Sequence, residues 1–132
     1  MVKSIYLYNS FNIKARHKRS IILIGNFDGL HLGHQKLFTL ANKYKKKYSL
    51  SVGVLTFEPM PKMYFNKDIK NFRISNKKQK MDLLNKFKVD FVIVKKFDKK
   101  FSKIKSINFI KNILKKKLKS KFIFVSNNFR FG

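Results

Sequence analysis

The stretch SIILIGNFDGLHLGHQ, Ser20 to Gln35, decides the fold. It opens on an apolar, β-branched run, Ile21-Ile22-Leu23-Ile24, of the kind that forms a parallel strand buried on both faces. The run breaks at Gly25, and a loop with a second glycine at Gly29 leads to two histidines, His31 and His34. The apolar period then changes from strand to helix, with Leu37, Leu40, Ala41 and Tyr44 on one face. The segment therefore reads as strand, glycine loop, helix. Free backbone N–H groups of such a loop and the start of such a helix converge on one spot, which attracts phosphate.

Working outward, the same grammar repeats. Lys3–Tyr8 reads as a short edge strand and Asn9–Arg19 as a polar, basic connection in which the lone His17 is expected at the surface. The strand predicted at Ser20–Gly25 is followed by a helix from about Leu32 to Lys47, whose Lys43, Lys45, Lys46 and Lys47 suit the negative end of its dipole. Leu50–Phe57 is a second strand, stopped by Glu58-Pro59-Met60-Pro61. Ser75 or Asn76 is placed to cap a helix reaching Phe87, with Met81, Leu84 and Phe87 inward. Val89–Val94 is a third strand, Lys95–Lys105 a basic loop carrying Phe97 and Phe101, and Ser106 the cap of a helix to about Lys117 with Ile110, Ile113 and Leu114 inward. Phe122–Val125 is the fourth main strand.

Strands alternating with helices at this spacing predict an α/β domain with a mostly parallel sheet and helices on both faces. Ligands of such sheets sit beyond the C-terminal ends of the strands. Three polar segments fall there: Gly25–His34, Glu58–Pro61 and Ser126–Gly132.

Composition narrows the class of protein. The 132 residues suit one domain, and there is no cysteine for a disulfide or thiolate metal site. No apolar run is long enough to span a membrane and no signal peptide is evident, so a cytoplasmic location is expected. The net charge of +26 comes from 28 Lys and 4 Arg, spread over the whole chain. Specific nucleic-acid readers lean on clustered Arg. Lys, Asn, Ile and Phe share A/T-rich codons, so the excess reads as compositional bias on solvated faces, without a specific nucleic-acid partner. Non-specific, salt-sensitive binding follows from the charge alone.

His31 and His34 sit one helical turn apart, with Gly33 between them leaving room for a ligand. Three roles fit: metal ligands, caps of backbone groups, or phosphate donors. A metal site needs a third ligand, and only His17 remains. The neighbouring glycines favour phosphate. Asp28 reads as an Asx-type loop stabiliser, and Phe129 and Phe131 as one face of a strand.

GNFDGLHLGH resembles the signature of the HxGH nucleotidyltransferase superfamily, and Asn26-Phe27-Asp28-Gly29 is similar to its flavin adenylyltransferase branch. Leu55-Thr56-Phe57-Glu58-Pro59-Met60-Pro61 resembles the LTFEPHP segment of bacterial FAD synthetases, and Phe129-Arg130-Phe131-Gly132 their FRFG segment. The three motifs, in order, cover almost the whole chain. The resemblance implies a Rossmann-like nucleotidyltransferase domain over residues 1–132 that transfers AMP from ATP to FMN, with Mg²⁺ accompanying ATP. It implies that His31 and His34 are catalytic, that Gly25, Asn26, Phe27 and Gly33 bind ATP, and that Glu58, Pro59 and Asn128 lie on the substrate or metal side; no protein metal ligand is assigned. Departures are Met60 for the usual histidine and Ser126 for the usual glycine. The family's domain continues past FRFG and is normally fused to a riboflavin kinase domain, so the domain is expected to be incomplete at its C-terminus. Transfer to a different phosphorylated substrate and a non-catalytic nucleotide-binding remnant are the alternatives.

Overall fold

A computed structural model describes residues 5–25, 27, 32–58 and 77–126, without the side chains of 32–34, 77–80 and 83. The expectations for Asn26, Asp28, His31, Pro59–Pro61, the cap at Ser75 or Asn76, and Asn127–Gly132 lie outside the described residues.

Five strands form one sheet: β1 (Tyr6–Tyr8), β2 (Ile21–Ile24), β3 (Val52–Glu58), β4 (Phe91–Lys96) and β5 (Phe122–Val125). Their order is β1-β4-β3-β2-β5, and every neighbouring pair is parallel. The connecting helices are α1 (Leu32–Tyr48), α2 (Lys77–Lys86), α3 (Lys99–Ser102) and α4 (Ser106–Asn108), the last running on as a π-helical segment, Phe109–Lys117. A short 3₁₀ turn, Ala15–His17, precedes β2.

Alternation along the strands divides the core in two. Ile21, Leu23, Val52, Val54 and Val92 face Phe38 and Ala41 of α1 and Leu84 of α2. On the opposite face Ile22, Ile24, Leu55, Phe57, Phe91 and Ile93 pack under Phe101, Phe109, Leu114 and Leu118, with Phe11 and Ile13 from the first connection. Because both faces are covered, β2 is buried at every position. This is the expected α/β architecture with helices on both faces.

Five local expectations need correction. His17 is buried, not superficial: it stacks on Phe91 with ring centroids 4.4 Å apart, and its Nδ1 is 2.6 Å from the Tyr8 hydroxyl. Lys95–Lys105 is not simply a loop, because Asp98 accepts a hydrogen bond from Phe101 N at 2.8 Å and caps α3, which drives Phe101 into the core. Ser106 begins α4 rather than capping it, and Ile110 points out. The reason is the π winding: Phe109, Leu114 and Leu118 recur every four to five residues, so the buried stripe misses Ile110. In α1 the buried arc turns toward Phe38, which leaves Leu40 at its rim and exposed.

Helix ends are closed by non-glycine residues in the left-handed region, Ser49 after α1 and Lys88 after α2. After α2 the Val89 N–H reaches back to the Leu84 carbonyl, a Schellman closure. Next to it, Asp90 joins four elements. Its Oδ2 accepts from Val52 N (2.8 Å) and Lys45 Nζ (2.9 Å), its backbone N–H donates to the Val52 carbonyl, and its own carbonyl accepts from Tyr6 N. Asp90→Ala removes the acceptor of the Val52 N–H and leaves the Lys45 ammonium with the Lys88 carbonyl at 3.0 Å in place of its carboxylate, and is expected to cost about 2 kcal/mol. Urea unfolding checks this, as a lower midpoint with an unchanged slope.

Candidate active site

From β2 the chain steps to β3 and then β4 in one direction, while β5 lies on the other side of β2. The connections therefore diverge at β2, and in such sheets the usual ligand position lies beyond the C-terminal ends of the strands at this point of divergence. Gly25 follows β2 and Ser126 follows β5. Gly25 N donates to the Leu55 carbonyl (3.2 Å), and Ser126 N donates to the Ile24 carbonyl (2.9 Å), so the ladder extends one residue past β2 on each side.

Gly25 has no space for a side chain. A Cβ there would stand 2.6 Å from Ser126 Oγ and 2.8 Å from Phe27 Cζ. Only glycine lets the backbone turn out of the sheet beneath that ring. Phe27 holds the turn with φ at 56°, in the left-handed region that a bulky residue adopts at a cost of about 1–2 kcal/mol. Its ring compensates by burying completely against Phe38, with centroids 5.2 Å apart. The ring is thus committed to the core, and what Phe27 offers a ligand is its backbone.

Helix α1 begins at Leu32, with Gly33 and His34 in its first turn. That turn carries no acidic residue, so nothing in it competes for the positive end of the dipole, and Lys45, Lys46 and Lys47 occupy the opposite end. Glu58 closes β3 on the same edge of the sheet, exposed, in register with Lys96 of β4, its carbonyl accepting from Phe97 N. Of the residues singled out from sequence, Gly25, Phe27, Gly33, His34 and Glu58 therefore share the C-terminal edge of the sheet. Asn26, His31, Pro59 and Asn128 lie outside the described residues, as do the side chains of residues 32–34.

Two hydroxyl residues, neither assigned a role from sequence, neighbour Gly25. Ser126 is buried, with its hydroxyl against Gly25. Thr56, next to Gly25 across the β2–β3 ladder, is buried and its Oγ1 has no hydrogen-bond partner among the described residues. The sequence signal was a lone hydroxyl in an otherwise apolar strand.

The model of the family described as FAD synthetase matches residues 13–132. The chain belongs to the FAD synthetase family. The bifunctional riboflavin kinase/FMN adenylyltransferase of Buchnera aphidicola subsp. Acyrthosiphon pisum is 42% identical over 121 residues, 92% of this chain and 39% of that protein. The protein of the same name from Escherichia coli is 36% identical over 90% of this chain and 38% of its own length. The chain thus spans about two fifths of the curated relatives it matches. Among solved structures, one titled a macrolide-efflux protein from Streptococcus pneumoniae superposes with a TM-score of 0.74 at 27% identity, covering 95% of this chain and 48% of that one. That likeness bears on the fold. No helix among the described residues is long and apolar enough to cross a membrane.

Among the described residues, the end of β2 at Gly25, the Phe27 backbone and the first turn of α1 stand at the C-terminal side of the sheet, where such folds take their ligands.

Proposed function

We propose that this chain transfers AMP from ATP to FMN, giving FAD and pyrophosphate. The observation that carries the reading is the family match over residues 13–132, a span that includes the GNFDGLHLGH motif.

In this reaction a phosphate oxygen of FMN attacks the α-phosphorus of ATP in line. The new O–P bond forms as the bond from the α-phosphorus to the bridging oxygen of pyrophosphate breaks, and pyrophosphate departs with that electron pair. No covalent enzyme intermediate is needed. Negative charge on the transferring phosphoryl group and on the leaving group is met by the first-turn N–H groups of α1 and by the imidazoles of His31 and His34. Gly25, Asn26, Phe27 and Gly33 form the wall along which ATP lies. Glu58, Pro59 and Asn128 serve the flavin side.

A Mg²⁺ ion bound with ATP would supply charge neutralisation at the phosphates. Such an ion takes most of its ligands from phosphate and water and needs one or two protein carboxylates. Among the described residues no group of three or more His, Cys, Asp or Glu gathers, and Glu58 is the exposed carboxylate at this edge of the sheet. Glu58 therefore fits as the protein's contribution. The relatives' names pair this activity with a riboflavin kinase, which would supply FMN. A cytoplasmic setting suits both substrates.

The test is direct. With ATP, FMN and Mg²⁺ the chain is expected to release FAD and pyrophosphate in equal amounts, read by chromatography. A panel of other phosphorylated acceptors is expected to give no product. Product from another acceptor alone would move the chain to a different branch of the superfamily, and ATP binding without any product would leave it a nucleotide-binding module.

A further inference from the structure

We propose that the Thr56 hydroxyl, which has no partner among the described residues, is a positioning group of the phosphate site that hydrogen-bonds to the backbone of Gly25 or Phe27 once a nucleoside triphosphate is bound. The inference rests on the nucleotide reading above and assigns that site a residue it did not yet include.

Thr56 follows Val52 and Val54 on the face of β3 that packs under α1. Valine has the same branched shape, so packing alone gives no reason for a hydroxyl here. Yet Thr56 is 4% exposed and its Oγ1 has no partner among the described residues. A buried hydroxyl left in that state is costly, and native proteins rarely keep one without use. The Ser120 hydroxyl is also without a partner among the described residues, but it precedes β5, at the opposite end of the sheet from Gly25.

The place of Thr56 is specific. The Gly25 N–H bonds the Leu55 carbonyl, which brings the glycine alongside Thr56, and Ser126 packs against Gly25 from the other side. Ser126, Gly25 and Thr56 therefore form a row across β5, β2 and β3 at the C-terminal edge of the sheet. Two residues on from Gly25, Phe27 is held at φ 56°. Two unfavourable features, a hydroxyl without a partner among the described residues and a left-handed phenylalanine, thus lie just past the end of β2 and on its neighbour β3. A shift of the Gly25 and Phe27 backbone on nucleotide binding relieves both: Phe27 leaves the left-handed region and one of the two offers Thr56 a backbone partner. A hydroxyl serves either way, since it both donates and accepts.

The experiment compares Thr56→Val and Thr56→Ser with the wild type, by thermal unfolding with and without ATP and Mg²⁺ and by steady-state adenylyl transfer. Without nucleotide, Thr56→Val is expected to unfold at the wild-type temperature or above it, because an unsatisfied polar group has been removed. With nucleotide it is expected to gain less, its Kd and KM for ATP rising about tenfold while KM for FMN stays unchanged. Thr56→Ser restores most of the affinity. The proposal is overturned if Thr56→Val binds ATP as the wild type does, or if it is destabilised without nucleotide and Thr56→Ser fails to restore ATP affinity. Absence of any ATP-induced stabilisation in the wild type overturns the nucleotide reading itself, and this inference with it.

Discussion

His31→Ala and His34→Ala are each expected to lower kcat for adenylyl transfer about 10²-fold or more, with little change in KM for ATP or FMN. The argument begins with charge. An in-line displacement at the α-phosphorus gathers negative charge on the oxygens around it, and donors already fixed in place need no reorganisation at that moment. The dipole of α1 supplies the first such donors, and His34 belongs to its first turn. His31 is three residues earlier in the sequence. Losing either imidazole removes interactions that strengthen in the transition state, which is why kcat carries the loss. The double variant is expected to fall less than the product of the two single effects, since the residues act as a unit. Thermal unfolding run beside the kinetics separates this from a structural role: a capping histidine would lower the melting temperature, whereas a phosphate donor leaves it in place. Wild-type turnover in both single variants would remove the histidines from the mechanism.

Much of this site was legible because it is local. An apolar run, a glycine turn and an amphipathic helix lie within about thirty contiguous residues, and each signal comes from its own neighbours. The strand signals of β3, β4 and β5 were equally local, and their ends agree with the structure within two residues. Strand order is different. Each strand shows only that it is buried, and which strand lies beside β2 depends on crossovers that no periodicity encodes.

His17 shows the same limit in one residue. Its neighbours are Lys14, Arg16, Lys18 and Arg19, and a histidine in such company reads as solvated. What buries it comes from far away in sequence: Phe91 stacked on the ring and the Tyr8 hydroxyl at Nδ1. Asp98 is the opposite case. Its cap on α3 was readable from the acid placed three residues before Phe101, but the surrounding lysines gave the segment the look of a loop. Ile110 was misplaced because the sequence pattern was matched to an α-helical period, and the helix there is π-wound. At the site, Gly25 was singled out from sequence as the glycine at which the apolar run breaks. The reason it admits no side chain, the Ser126 hydroxyl and the Phe27 ring above it, arises only when β5 lies beside β2.

Gly53→Ala is expected to be the most damaging single methyl in the described structure, costing about 3 kcal/mol or more. Gly53 lies in the middle of the parallel sheet, paired with Ile22 of β2 and Phe91 of β4. The Phe91 ring lies across it, and an added Cβ would fall under 3 Å from three of its carbons, Cζ, Cε1 and Cε2. The ring cannot swing away, because His17 stacks on it and Tyr8 meets it edge-on at 5.9 Å. Relief must come from the backbone, by spreading β3 from β4, and that loosens the register on which Glu58 depends for its place at the C-terminal edge of the sheet. For a domain of this size the cost is a large share of the total stability, roughly 5–15 kcal/mol. Chemical denaturation gives the number, and a double-mutant cycle gives the cause. Phe91→Leu alone leaves a cavity and destabilises, yet in the Gly53→Ala background it is expected to recover stability, because the smaller side chain makes room for the methyl. A Gly53→Ala chain within about 0.5 kcal/mol of the wild type, or a cycle with no coupling, would show that the ring has freedom the packing around His17 denies it.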